Sequence, residues 1–178
     1  EIHKLQDQIK LTANSSTPFE AITFDKESYE KTHHGILKTF AESPAGDTEK
    51  MFGTADYVDP DLYLIGTAIG WGGATWKDNI YQFSQVFTDF KGRSTTFADP
   101  KNKGGFWSIT VYDKKGFLFN EVANVNSETA VKNADGTFTV NFGRDGEVNN
   151  IPIKNSTGSW NAAMRQYTPS KAVIDGKI

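Results

Sequence analysis

Arg165 and Tyr167 stand at alternate positions in Ser159–Tyr167, a run of β-type residues, so their side chains fall on one face of a strand. A guanidinium and a phenol placed this way can clamp a carboxylate, a sulfate or a sugar hydroxyl through charge-assisted hydrogen bonds. The plainer use of the pair is structural, with the arginine stem packed over an aromatic ring. Trp76, Tyr81, Trp107, Tyr112, Trp160 and Tyr167 add flat amphipathic faces on which a carbohydrate or an apolar small molecule can stack, although most such rings serve a core. Gly70-Trp71-Gly72-Gly73 lets backbone amides approach an anion or ligand, because glycine lacks the Cβ that would block the approach. Its simpler use is a helix C-cap and tight turn with Trp71 packed on a sheet. The candidate ligand-binding residues are therefore Trp71, Tyr81, Trp107, Tyr112, Arg165 and Tyr167, and no residue is assigned as catalytic.

Other chemistries find less support. His33 and His34 are adjacent, so on a helix they point about 100° apart and do not chelate one metal as an i, i+4 pair does. The remaining histidine, His3, is remote in sequence; no metal ligand and no cofactor is expected. Asp113, Glu121, Asp135, Asp145 and Glu147 lie near predicted strand ends, where two carboxylates could converge for glycoside acid/base work or for Ca²⁺. Asp135-Gly136 and Asp145-Gly146 read more simply as turns whose side chains bond local amides. Ser108 sits inside a strand and lacks the Gly-x-Ser-x-Gly elbow of a seryl nucleophile.

Composition narrows the classes further. A chain of 178 residues suits one core without covalent staples, and 13 Phe, 4 Trp and 6 Tyr against 2 Met make rings carry much of that core. A net charge of −3 with no basic run argues against a nucleic-acid partner. With no cysteine there is no disulfide, thiolate nucleophile or Cys-ligated metal. No apolar run reaches the ~20 residues of a membrane span. A first residue of Glu instead of Met fits removal of a secretory signal, or cloning of a fragment, and with it a periplasmic or secreted location, a cytoplasmic one remaining open.

These residues need elements to position them. Ile2, Leu5, Ile9 and Leu11 predict a short helix, followed by a linker over Thr12–Pro18. Asp25-Lys26-Glu27-Ser28 predicts the capped start of a helix running to Phe40, and Asp59 caps a second one with Pro60 at its first position, ending at Gly70. Beyond it the pattern turns to short strands: Ile80–Phe87, Gly105–Tyr112, Phe117–Phe119, Thr137–Phe142 and Ser159–Tyr167. Asp113–Gly116, Asn133–Gly136 and Arg144–Gly146 read as hairpin turns. Alternation in 106–112 puts Phe106, Ser108, Thr110 and Tyr112 on one face and Trp107, Ile109 and Val111 on the other, buried one. The expected fold is mostly β with flanking helices, a jelly-roll-like β-sandwich over 57–178, with an N-terminal helical or irregular segment, 1–56, packed on it.

Four stretches in series resemble the bacterial DUF1214 family: Asp59–Gly73, Gly105–Asp113, Lys132–Gly143 and Arg165-Gln166-Tyr167-Thr168-Pro169 leading to Asp175-Gly176. That family is often the C-terminal part of proteins that also carry a DUF1254 region, and the resemblance implies a jelly-roll sandwich with a few packed helices. The chain departs from the pattern at Ile151-Pro152-Ile153, where the family has a Leu-Pro stretch, and at Ser159-Trp160, where it has Gly-Trp. The family assigns no shared activity. The expected function is a binding or assembly domain of a bacterial envelope or exported protein, taking a small molecule or carbohydrate or self-associating. The alternatives are a hydrolase of unfamiliar class, with a pocket around Arg165 and Tyr167, and an interaction module of a larger assembly.

Overall fold

A computed structural model describes residues 1–42, 48–70, 72–102 and 104–176, and in it seven strands form two sheets accompanied by four helices. The elements run α1 (Ile2–Gln6), α2 (Lys26–Glu42), α3 (Pro60–Ile69), β1 (Asn79–Phe83), β2 (Arg93–Ala98), β3 (Trp107–Asp113), β4 (Asn124–Asn126), β5 (Thr137–Phe142), β6 (Asn150–Ile151), β7 (Trp160–Tyr167) and α4 (Lys171–Ile174). Two units separate within α2, Glu1–His34 and Gly35–Ile178, and each is described by itself.

In the first unit the N-terminal helix stops at Gln6, short of the Leu11 that its apolar spacing suggested, and Leu11, Phe19, Ile22 and Phe24 are exposed. The Asp25 carboxylate accepts the Ser28 amide at 2.7 Å and starts α2 where the acids and Ser predict it. Tyr29 stacks on His33 one turn later, 5.8 Å between ring centres.

The second unit holds the two sheets. The first has the order β1-β7-β3-β4, antiparallel throughout; the second is β2-β5-β6, with β2 antiparallel and β6 parallel to β5. Period-two alternation decides which side chains meet between them. Trp107, Ile109 and Val111 of β3 and Trp160 and Ala162 of β7 face Phe138, Val140 and Phe142 of β5 in one buried cluster. Phe97 and Phe138 meet the Trp107 ring edge-on at 5.0 and 4.9 Å, and Phe142 lies 5.5 Å from Trp160. The two sheets therefore form a sandwich around an aromatic core.

Two strand expectations change, and one strand is added. Phe117–Phe119 is not a strand: the Asp113 carboxylate accepts the amides of Lys115 (2.8 Å) and Phe117 (3.0 Å), winding the chain into a loop that leaves Phe117 and Leu118 exposed. The partner of β3 is instead β4, seven residues further along. The expected Ile80–Phe87 run breaks after Phe83: Phe83 opposes Ala163 and Phe87 opposes Trp160, one residue more than the facing strand supplies, and Ser84 Oγ accepts the Ala162 amide. β2 went unpredicted, because Arg93-Ser94-Thr95-Thr96-Phe97-Ala98 carries one large apolar side chain and pairs as an edge strand. Asn133–Gly136 makes the expected hairpin turn, with Gly136 at φ +84°. Arg144–Gly146 also turns, but into the parallel pairing of β6 on β5 rather than into a hairpin.

α3 forms as its cap predicts: the Asp59 carboxylate accepts the amides of Asp61 and Leu62 at 3.0 and 3.1 Å, and Pro60 opens the first turn. Gly66 lies where a Cβ would stand 3.0 Å from both Met51 and Phe52, so this glycine is what allows the 48–53 segment to pack on the helix.

Candidate functional site

The face of the four-stranded sheet turned away from the core is where polar chemistry gathers. β7 is one of the two inner strands, and its residues on this face are Asn161, Ala163, Arg165 and Tyr167. Antiparallel register places Tyr81 of β1 directly opposite Arg165 on one side and Ser108 of β3 opposite it on the other. Tyr112, on the same face of β3, opposes Asn161 and reaches back to Arg165. Nη2 of Arg165 donates to the Tyr112 hydroxyl at 2.8 Å, and the guanidinium carbon lies 5.6 Å from the Tyr112 ring centre and 5.9 Å from that of Tyr81. The amide of buried Asn79 donates to the Tyr81 hydroxyl at 2.8 Å. Burial pushes the Tyr81 phenol above its ordinary value, Tyr167 adds to the rise, and Arg165 and the Asn79 hydrogen bond oppose it.

These groups form the floor of a cavity of about 430 Å³, together with Phe83 and Asn161. Thr48, Met51, Phe52 and Ile69, brought over the sheet by α3 and the segment before it, supply its opposite wall. The wall is largely apolar and the floor polar, a common division in small-molecule sites. Among the described residues that line it there is no carboxylate, and Arg165 is the one cation. No described acid forms an ion pair with that half-buried guanidinium.

Of the predicted site residues, Tyr81, Tyr112 and Arg165 come together here. Tyr167 shares their face but stacks on Phe106, 4.3 Å between ring centres, and is not part of the lining. Trp107 stands on the opposite face, 2% exposed in the core. Its distance from Tyr112 in orientation already follows from the alternation along β3. Trp71 lies outside the described residues. Phe83, Asn161, Met51 and Phe52 were not foreseen; Asn161 could have been, since it alternates with Ala163 and Arg165 on one strand.

A second cavity, about 320 Å³, opens between the sheets and is lined by Phe87, Phe97, Trp160 and Met164 with Arg93 among them. Its cation is already paired: Arg93 bonds Asp89 at 3.1 Å and lies over the Phe87 ring at 4.4 Å. Of the carboxylates considered for catalysis, three have local partners, Glu147 lying 3.8 Å from Arg144. Asp113 and Asp135 cap their own turns, Asp135 accepting from both the amide and the hydroxyl of Thr137. Among the described residues no group of three or more His, Asp or Glu side chains is placed to hold a metal ion, and no helix is long and apolar enough to cross a membrane.

Fold and site together define a two-sheet, mostly-β domain with an arginine-centred cavity on the outer face of its larger sheet. Residues 93–171 match the model of the DUF1214 family, described as a protein of unknown function, as the resemblance of the sequence leads one to expect. Of the stretches that carry the resemblance, Asp59–Gly73 precedes the match, whereas Arg165 and Tyr112 lie within it. No curated protein matches the chain. Among solved structures, the VPA0106 protein from Vibrio parahaemolyticus is similar at TM-score 0.57 and 19% identity over 89% of this chain and 45% of its own. A putative uncharacterized protein from Burkholderia cenocepacia gives 0.49 and 11% over 84% and 40%. The chain thus spans less than half the length of either. The first likeness agrees with the fold described above.

Proposed function

We propose that this domain binds a small molecule in the cavity between the outer face of β1, β7 and β3 and the 48–70 segment, without transforming it. The observation that carries the reading is Arg165: a half-buried guanidinium that lines a cavity while its only described side-chain hydrogen-bond partner is a neutral phenol. Partly desolvated charge without a counter-ion is costly in a fold, so a site that holds one gains when a ligand supplies the partner. The hydrolase reading needs a carboxylate beside Arg165 to act as base, and the described lining supplies none.

Ligand-observed NMR with a fragment set tests the reading on the purified chain. Fragments are expected to bind the unaltered protein and to be excluded by Ala74→Trp, which fills the cavity from its rim. Binding that Ala74→Trp leaves unchanged in a variant of unaltered melting temperature, or reproducible turnover of an ester, glycoside or sulfate ester, overturns it.

A further inference from the structure

Around Arg165 the cavity floor offers mainly donors, and Asn161 adds an amide that can both donate and accept. The Tyr112 hydroxyl already accepts from Arg165, and the Tyr81 hydroxyl already accepts from Asn79, so each phenol has its own proton left to give. Arg165 has five N–H donors in a planar fork and spends one of them on Tyr112 in the contacts among described residues. The floor is therefore rich in donors, carries a single positive charge, and faces a wall of Met51, Phe52 and Ile69.

Resting on the binding reading above, we infer that the ligand is a small organic monocarboxylate with an apolar body, its carboxylate held by Arg165, Tyr81 and Tyr112 and its body against Met51, Phe52 and Ile69. The planar, singly charged carboxylate matches the guanidinium fork in both geometry and charge. A phosphate dianion would bring a second charge to a site with one described cation. A sugar would leave the apolar wall of Met51, Phe52 and Ile69 unused and would give the guanidinium no counter-charge. Burial that keeps Tyr81 protonated also keeps it a donor over the range in which the carboxylate is ionised.

The test pairs charge with shape. Benzoate, hexanoate and naphthalene-2-carboxylate are each titrated against their primary amides, with affinity read by calorimetry and location by NMR of the Tyr and Arg side chains. The carboxylates are expected to bind about tenfold or more tightly than the amides, as hydrogen bonds to a charged group imply. Arg165→Gln should abolish that preference, and Tyr112→Phe should weaken carboxylates while leaving amides nearly unchanged. Melting curves of both variants establish that they fold, and Tyr112→Phe carries the test if Arg165→Gln does not. Equal binding of acid and amide in the cavity overturns the ligand class and leaves the binding reading standing. A carboxylate preference that survives both substitutions also overturns the inference. Failure of every acid and amide to perturb Tyr81, Tyr112 or Arg165 removes both.

Discussion

Tyr81 shows at the scale of one residue how the site constrains its own chemistry. Burial, and then Tyr167, raise its phenol above the ordinary 10.0, while Arg165 pulls the other way. A phenol that ionises more readily unfolded than folded contributes stability that is whole below the unfolded value and is lost as pH rises through the folded one. The protein is therefore expected to lose stability above about pH 10. Urea unfolding at pH 8 and pH 10.5 measures this loss, which should be smaller in Tyr81→Phe; an equal loss in both proteins counts against it. The three residues that meet in the cavity were unequally legible in the sequence. Alternation along β7 fixes the face of Arg165 and alternation along β3 fixes that of Tyr112, both local facts. That Tyr81 opposes Arg165 is not local, since the register joins strands 84 positions apart in sequence and no pattern near either residue encodes it.

At the scale of elements, the cavity depends on what covers the sheet. α3 is set by Asp59, whose carboxylate accepts two first-turn amides, and by Pro60 behind it. Asp59→Ala is expected to cost about 1 kcal/mol, the usual loss for a helix N-cap, and Asp59→Asn a fraction of that. Chemical denaturation reads the stability. The same variant should also bind the carboxylate probes more weakly, because Ile69 and the neighbouring wall residues depend on the helix; unchanged affinity would separate the helix from the site. Cap and proline made this helix readable, as Asp25 did for α2. The short strands were harder. β4, with Val125 as its one buried apolar residue, exists because β3 offers it a ladder, and β6 pairs over two residues on β5. Propensity is too weak over such lengths to outweigh tertiary pairing. Another element-scale expectation concerns the entry to β3: a Cβ on Gly105 would fall on the Tyr167 carbonyl and the Thr168 hydroxyl. Gly105→Ala should cost about 1–3 kcal/mol by overpacking, read as a lower unfolding midpoint.

For the molecule as a whole, the sandwich closes on two buried tryptophans that differ in one respect. Trp107 and Trp160 are 2% and 1% exposed; Trp107 packs against Phe97 and Phe138 of the facing sheet, and Trp160 lies between Phe87 and Phe142. Nε1 of Trp160 donates to the Asp89 carbonyl at 2.9 Å, tying β7 to the loop that leads into β2 of the other sheet. Nε1 of Trp107 is buried without a hydrogen-bond partner among the described residues. Replacing either with Phe removes the same volume from the core, so the cavity terms largely cancel in a comparison of the two variants. What remains is polar. Trp160→Phe loses a hydrogen bond, whereas Trp107→Phe relieves a buried donor that lacks one. Trp160→Phe should therefore be the more destabilising by on the order of 2 kcal/mol, measured as the difference in unfolding free energy from urea titrations followed by far-ultraviolet circular dichroism. The order of the two variants is the discriminating result. If Trp107→Phe costs as much as Trp160→Phe, the packing of Phe97 and Phe138 around Trp107 outweighs its unpaired N–H, and ring contact alone accounts for how the sheets are held together.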